Sequence, residues 1–178
     1  MVQLTLPKGS APKKGKTWPK PKGKNVKKFK VYRYSPEEGG NPRWDTYFVD
    51  TDQCGPMILD VLIYIKNHID STLAFRRSCR EGVCGSCAMN IGGHNTIACT
   101  RGWDEVAGPH ISIAPLPSQP VVKDLIPDLT NFYAQHAYVQ PFLKTDTPEP
   151  EKEWTQSEED REHLDGLYEC ILCASCST

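Results

Sequence analysis

The sequence has 178 residues, a length that suits one ordinary domain or two small ones. Its net charge is -1 and 38% of its residues are hydrophobic, so it can build a core of moderate size. No stretch approaches the roughly 20 apolar residues of a membrane span, which excludes an integral membrane protein, and the chain can reach a membrane only through partners.

Charge is distributed unevenly along the chain. Residues 1–30 hold ten lysines and no acid, whereas residues 146–165 hold nine acids against Lys152 and Arg161. Residues 1–27 therefore predict a basic, extended arm, which is either solvated or bound to a partner. Nucleic acid is not expected as that partner, because no recognition fold accompanies the charge.

Residues 28–118 predict a compact first domain. Alternating or β-branched stretches predict strands at residues 28–34, 46–50, 88–91, 96–100 and 111–116. Turn-forming residues between the first two strands predict an antiparallel hairpin. Apolar residues at a helical period predict a helix over 57–69. Two strands, a helix, a cysteine-rich loop and further strands predict a β-grasp ferredoxin fold.

The second half predicts helices. Apolar residues recur at helical spacing over 124–138, and Pro141 ends that segment. Residues 144–153 are rich in Pro, Glu and Thr and predict a linker or surface loop. Ser157, followed by three acids, is a favourable N-cap for a further helix that runs to about residue 164.

The most informative motif is a group of four cysteines with the spacing C-x4-C-x2-C-x11-C, formed by Cys79, Cys84, Cys87 and Cys99. This is the plant-type spacing for a [2Fe–2S] cluster held by four thiolates. Gly82 and Gly85 let the loop take positive φ and bring N–H groups close to the sulfurs. A zinc site or a disulfide framework is the alternative, but zinc sites usually show two short hooks and a secreted scaffold needs a signal peptide.

A second group has the spacing C-x2-C-x2-C and consists of Cys170, Cys173 and Cys176. That spacing is typical of a [4Fe–4S] cluster, which needs a fourth ligand. The one spare cysteine, Cys54, belongs to the first domain. The fourth ligand therefore comes from another chain or from a non-cysteine group, or it is absent. Zinc with an outside ligand, free thiols and an artificially shortened sequence are the alternatives. The spacing favours a shared [4Fe–4S] cluster.

The predicted fold class is therefore α+β. A β-grasp plant-type [2Fe–2S] ferredoxin domain over 28–118 is followed, over 119–178, by a partial α-helical bacterial-type ferredoxin domain that ends in a three-cysteine half-site.

Several stretches around the two cysteine groups carry a family resemblance: residues 54–60, 70–82, 84–91, 95–100, 123–135, 159–161 and 164–174. In these stretches the chain resembles the iron–sulfur subunit of succinate dehydrogenase (succinate:quinone oxidoreductase, respiratory complex II) and its fumarate reductase relatives. The resemblance covers about residues 28–178, and such long runs are far more specific than a four-cysteine pattern.

The resemblance implies an electron relay without a catalytic residue. Cys79, Cys84, Cys87 and Cys99 match the [2Fe–2S] ligands of the family, and Cys170, Cys173 and Cys176 match three of the four [4Fe–4S] ligands. In the family, electrons from succinate oxidised at FAD pass through [2Fe–2S], [4Fe–4S] and [3Fe–4S] to ubiquinone. The implied partners are an FAD-containing flavoprotein subunit and, indirectly, membrane-anchor subunits, on the matrix side of the mitochondrial inner membrane.

The sequence also departs from the family. Family chains normally continue through a second cysteine group that supplies the last [4Fe–4S] ligand, all [3Fe–4S] ligands and part of the quinone site. We therefore expect the N-terminal half of a split subunit, whose C-terminal half arrives as a separate chain and completes the [4Fe–4S] cluster. Two other functions stay open: a free soluble [2Fe–2S] ferredoxin, and an accessory protein whose second metal group is structural zinc.

Overall fold

A computed structural model describes residues 10–142 and 144–177, and its main feature is a six-stranded mixed sheet. The strand order across the sheet is β1–β3–β2–β6–β4–β5. The strands are β1 Lys13–Thr17, β2 Val26–Arg33, β3 Arg43–Asp50, β4 Ala88–Ile91, β5 His94–Ile97 and β6 Ile111–Ala114. β2 and β3 form the predicted antiparallel hairpin, while β1 pairs with β3 and β6 pairs with β2 in parallel.

The core lies between one face of this sheet and a single helix. Alternate residues of β2 and β3, among them Phe29, Val31 and Tyr47, are fully buried because successive side chains of a strand point to opposite faces. Helix α1, Ile58–Tyr64, packs its apolar side chains against them, and a π-helical turn extends it over Ile65–Ile69. A mixed sheet with so few helices fits the predicted β-grasp ferredoxin-like fold.

The predicted strands and first helix are confirmed with small shifts at their ends. The strand predicted at 96–100 lies at His94–Ile97, so it begins directly at the turn after Gly92 and Gly93. Strand β1 was not predicted. It lies within the lysine-rich arm, where the sequence has no alternation of apolar and polar residues to indicate a strand.

The helix predicted over 124–138 is wrong in its first six residues. A short hairpin of β7, Val121–Lys123, and β8, Ile126–Pro127, occupies that region, and helix α2 begins only at Thr130 and ends at Val139. Asp124 sits in the turn of the hairpin with φ 46°, a left-handed conformation that no helix interior accepts. Its carboxylate accepts hydrogen bonds from the backbone N–H groups of Tyr34 and Ala74, both 2.9 Å away, and these tertiary bonds override the local helical pattern.

Helix α3, Glu158–Glu162, is short and begins where it was predicted. The Ser157 hydroxyl caps it by accepting the N–H of Asp160 at 3.1 Å. In the part of the chain that the structure describes, no helix is both long enough and apolar enough to span a bilayer.

Candidate iron–sulfur sites

The first cysteine group occupies the loop between the π-helical turn and β4, closed by the segment after β5. Cys87 directly precedes β4 and Cys99 follows β5, so the β4–β5 hairpin brings these two together at its base. Both are buried, with 2% and 7% of their surface exposed, whereas Cys79 is half-buried and Cys84 is exposed. The group therefore has an inner side within the core and an outer side at the surface.

The four thiols fall into two pairs. The N–H of Cys84 donates to the sulfur of Cys79 at 3.3 Å, and the N–H of Cys79 donates to the sulfur of Cys84 at 3.5 Å. The thiols of Cys87 and Cys99 form the second pair, in hydrogen-bonding contact with each other. A [2Fe–2S] core takes four cysteine ligands on two irons, hence two sulfurs for each iron.

The local backbone explains how the loop presents its N–H groups to sulfur. Arg80 and Gly82 both have positive φ, at 65° and 83°, which turns the loop back on itself. Glu81 lies between them, and its N–H donates to the Cys79 sulfur at 3.5 Å. Such N–H···S bonds stabilise negative charge on a thiolate and tune the potential of a bound cluster.

The outer and inner thiols have opposite electrostatic environments. The Ser86 hydroxyl lies 3.1 Å from the Cys84 sulfur and, with nearby backbone N–H groups, lowers the pKa of Cys84 to about 6. Burial raises the pKa of Cys87 to about 11. The cysteine spacing does not identify Ser86 as part of the site. Its position between two predicted ligands, Cys84 and Cys87, is the signal in the sequence that could have done so.

A buried charge network holds the chain that leads into this loop. The Arg33 guanidinium donates to Asp124 at 2.9 Å, to Asp70 at 2.5 Å and to the Thr72 hydroxyl at 2.8 Å. Asp124 in turn accepts the N–H of Ala74, five residues before the first cysteine. Closer to the loop, Arg76 donates to the carbonyl of Pro127 at 2.7 Å. These bonds fix the start of the loop to β2 and to the β7–β8 hairpin.

The second cysteine group lies near the first. Cys170 and Cys176 are exposed, Cys173 is half-buried, and Leu172 and Ala174 on either side of Cys173 have positive φ, at 54° and 62°. Positive φ is uncommon for residues with a side chain and is tolerated where the surroundings impose it, often at functional sites.

Both groups line a cleft of about 330 Å³, to which the first group contributes Cys84 and Gly85 and the second contributes Leu172 and Cys173. The structure thus brings the predicted [2Fe–2S] loop and the middle cysteine of the second group to the same cleft.

All eight cysteines are free thiols, and Cys54 belongs to neither group. The side chain of Cys54 packs against the core of the sheet domain, and burial raises the pKa of its thiol to about 11. Across residues 10–142 and 144–177, no three His, Cys, Asp or Glu side chains converge as they do around a single metal ion. The two pairs of thiols and the N–H groups that donate to sulfur match the four-cysteine ligation of a two-iron core.

Comparison with known proteins places this geometry in a family. Residues 28–134 match the family described as a 2Fe-2S iron-sulfur cluster binding domain. Over its whole length the chain is 68% identical, across 179 aligned positions, to the succinate dehydrogenase iron-sulfur subunit of Paracoccus denitrificans, of which it covers 69%. The chain belongs to the family of succinate dehydrogenase iron–sulfur subunits.

A solved structure supports the same family. A chain of the Mycobacterium smegmatis Sdh1 complex in the apo form has the same fold, with a TM-score of 0.71 at 26% identity. The alignment covers 85% of this chain and 62% of the mycobacterial chain, so this chain spans less than two thirds of that chain's length. The matched [2Fe–2S] domain includes the first cysteine group, and the second group lies beyond it.

Proposed function

We propose that this chain is the electron relay of a succinate:ubiquinone oxidoreductase and that Cys79, Cys84, Cys87 and Cys99 hold its [2Fe–2S] cluster. The observation that carries the proposal is the arrangement of these four cysteines in two pairs within a matched [2Fe–2S] domain. When bound, such a cluster takes up and releases one electron at a time.

The protein residues hold the cluster, orient it and control water around it. The N–H groups of Glu81 and Cys84 donate to the Cys79 sulfur and disperse its negative charge. Burial of Cys87 and Cys99 keeps water from the inner side. Exposure of Cys84 leaves the outer side open to a redox partner, for which we propose the FAD-containing flavoprotein subunit.

We further propose that Cys170, Cys173 and Cys176 supply three ligands of a [4Fe–4S] cluster and that the fourth comes from polypeptide outside these 178 residues. An apolar cleft of about 700 Å³ lies beside Cys170 and α2. Val139, Leu167 and Tyr168 at this cleft are 71%, 68% and 61% exposed. A contiguous apolar surface of this kind is typical of an interface, which supports a covering polypeptide that brings the missing ligand.

The proposed location is the surface of a respiratory membrane, with attachment through anchor subunits. The sequence prediction was the mitochondrial inner membrane, whereas the relative in Paracoccus denitrificans is bacterial. The relay itself requires only that the partner subunits hold the chain at the membrane, in either setting.

A pair of cysteine variants tests the [2Fe–2S] assignment. Cys99→Ser removes one sulfur of the inner pair, so we expect loss of the EPR signal of the dithionite-reduced [2Fe–2S] cluster and of its visible absorption. Cys54→Ser is the matched control, since Cys54 packs in the same domain outside the paired thiols. The assignment is wrong if Cys99→Ser keeps the signal at the wild-type iron content.

Affinity purification of the tagged chain from its own cells, in mild detergent, tests the assembly. Recovery of an FAD-linked chain supports the relay in succinate dehydrogenase. Recovery of the chain alone with a [2Fe–2S] cluster favours a free ferredoxin, and zinc in place of additional iron favours the accessory protein.

A further inference from the structure

The two cysteine groups touch at Gly85, which lies in the first loop directly after Cys84. Gly85 has φ 68°, and a Cβ built on it would lie 2.9 Å from both Cα and Cβ of Cys173 and 3.0 Å from the carbonyl oxygen of Ile171. Real Cβ atoms essentially never approach other atoms this closely, so only glycine permits the observed contact. The backbone of one cysteine loop therefore packs directly on the backbone of the other.

A hydrogen bond and a small apolar cluster hold the same segment. The side-chain amide of Asn95 on β5 donates to the carbonyl of Ser175 at 3.2 Å. Ala174, only 2% exposed, packs with Ala88 and Leu116 of the sheet domain. The segment around Cys173 is thus seated on the sheet domain at three points, whereas Cys170 and Cys176 on either side of it are exposed.

We propose that Gly85 and Asn95 are positioning residues that seat the Cys173 loop on the [2Fe–2S] loop and so fix the separation of the two clusters. The inference rests on the proposed function, because it assigns a role to the contact between two loops that are proposed to hold clusters. Electron transfer between metal centres depends steeply on distance, and neither residue needs to touch iron to control it. Gly85 acts by its lack of a side chain, and Asn95, a residue of β5, acts by its hydrogen bond to the Ser175 carbonyl.

Two variants and a matched control separate seating from backbone strain. Gly85→Ala adds the clashing methyl group. Asn95→Ala removes the bond to Ser175 together with the bond that Asn95 accepts from Asn90 at 2.8 Å within the β4–β5 hairpin, and of these two only the Ser175 bond reaches the segment around Cys173. Gly93→Ala is the control, because Gly93 also has positive φ, 91°, but its added methyl group would meet no atom within 4 Å. Any effect of a left-handed alanine alone appears in the control as well.

Alkylation of the metal-free, reduced full chain by N-ethylmaleimide, followed by peptide mass spectrometry, measures the seating. In the wild type we expect Cys173 to react more slowly than Cys170 and Cys176. Loss of the Ser175 hydrogen bond in Asn95→Ala is expected to speed the reaction of Cys173 about fivefold. Gly85→Ala is expected to speed it at least as much, and Gly93→Ala is expected to leave it unchanged. Equal Cys173 rates in all four proteins overturn the inference.

A spectroscopic measurement on the purified complex links seating to cluster separation. Magnetic interaction with a second reduced cluster speeds the spin relaxation of the [2Fe–2S] EPR signal, and the effect falls with distance. We expect this enhancement to decrease in Gly85→Ala and Asn95→Ala, with an unchanged number of [2Fe–2S] spins, and to persist in Gly93→Ala. Failure of the proposed function is seen separately, as absence of any [2Fe–2S] signal in the wild type.

Discussion

Arg33 is the residue on which the buried polar structure of the sheet domain depends. Only 4% of it is exposed, yet it contacts three carboxylates, those of Asp70 and Asp124 and, at 3.7 Å, that of Asp45. A buried charge is stable only when it is paired and hydrogen-bonded, and here the Tyr47 hydroxyl also lies 2.7 Å from the guanidinium. The network joins β2 to the chain segments on both sides of the cysteine loop.

Asp70 makes this network sensitive to acid. Burial would raise the pKa of Asp70, but hydrogen bonds from Thr72 and Tyr47 and the charge of Arg33 outweigh burial and lower it to about 2. A carboxyl group with a lowered pKa stabilises the fold above the unfolded pKa of about 4, and this contribution is lost as the pH falls towards the folded value. We expect Asp70 to contribute about 2 kcal/mol that disappears between about pH 4 and pH 2.

Urea unfolding of the wild type and Asp70→Asn between pH 2 and pH 7 measures this contribution. The difference in free energy of unfolding between the two proteins should be constant above pH 5 and should shrink by about 2 kcal/mol as the pH approaches 2. Asp146→Asn, at an exposed position in the linker, is the control and should show no such change. A difference that does not vary with pH would show that this network does not lower the pKa of Asp70.

At the residue scale, the sequence identifies candidate ligands but not the residues that support them. The cysteines stand out because ligand spacing is a local property of the chain, recorded in C-x4-C-x2-C. Arg33 lies on the buried side of β2 with Phe29 and Val31, because alternate residues of a strand share a face. Its partners could not be found, because Asp70 and Asp124 lie 37 and 91 residues away and no local pattern links them to Arg33.

At the scale of elements, prediction succeeded where hydrophobic period and burial agree. β2, β3 and α1 contribute a large part of the core, so their apolar residues repeat with the period of a strand or a helix. The segment around Asp124 has a helical pattern of apolar residues, but a side chain bound to three distant groups prevents the helix there. β1 differs from these elements, because its sequence, Lys-Lys-Gly-Lys-Thr, has no apolar residue. It is a strand because it pairs with β3.

Strand β1 depends on Gly15 and Asp45. The buried carboxylate of Asp45 accepts the N–H of Lys16 at 2.7 Å, and a Cβ on Gly15 would meet this carboxylate and also lie 2.9 Å from the carbonyl oxygen of Trp44. We expect Gly15→Ala to detach β1, because the methyl group has no space unless the strand moves away from β3. The eight-residue pairing of β2 with β3 does not involve Gly15 and should remain.

Amide hydrogen exchange distinguishes detachment of β1 from general unfolding. In the wild type, the N–H groups of Lys13 and Trp18 donate to the carbonyls of Pro42 and Thr46 at 2.8 and 2.9 Å. In Gly15→Ala, these two N–H groups should lose their protection from exchange. Amides of β2 should stay protected. Lys14→Ala, at an exposed position of the same strand, is the control and should resemble the wild type. Retained protection at Trp18 in Gly15→Ala would contradict this account of the strand.

At the scale of the whole molecule, the two halves differ in the exposure of their large apolar side chains. The sheet domain buries its large apolar side chains with the exception of Val83 in the cysteine loop, whereas α2 and the segment after α3 leave several of theirs exposed, among them Tyr138, Val139 and Leu167. Exposed apolar residues of this number are costly in water unless another surface covers them. The second half, therefore, has the character of an interface, and the exposed Cys170 lies within it.

The proposal that the fourth [4Fe–4S] ligand comes from polypeptide outside these 178 residues predicts how Cys170→Ser changes the complex. Metal ligation contributes binding energy directly, so loss of one ligand should weaken or abolish binding of the [4Fe–4S] cluster. In the complex purified with the tagged variant, we expect the EPR signal of the [4Fe–4S] cluster to be lost while the FAD-linked chain and the [2Fe–2S] EPR signal remain. Cys54→Ser, at a cysteine outside both groups, should keep both EPR signals. An unchanged [4Fe–4S] signal with Cys170→Ser would mean that the second cysteine group has another role.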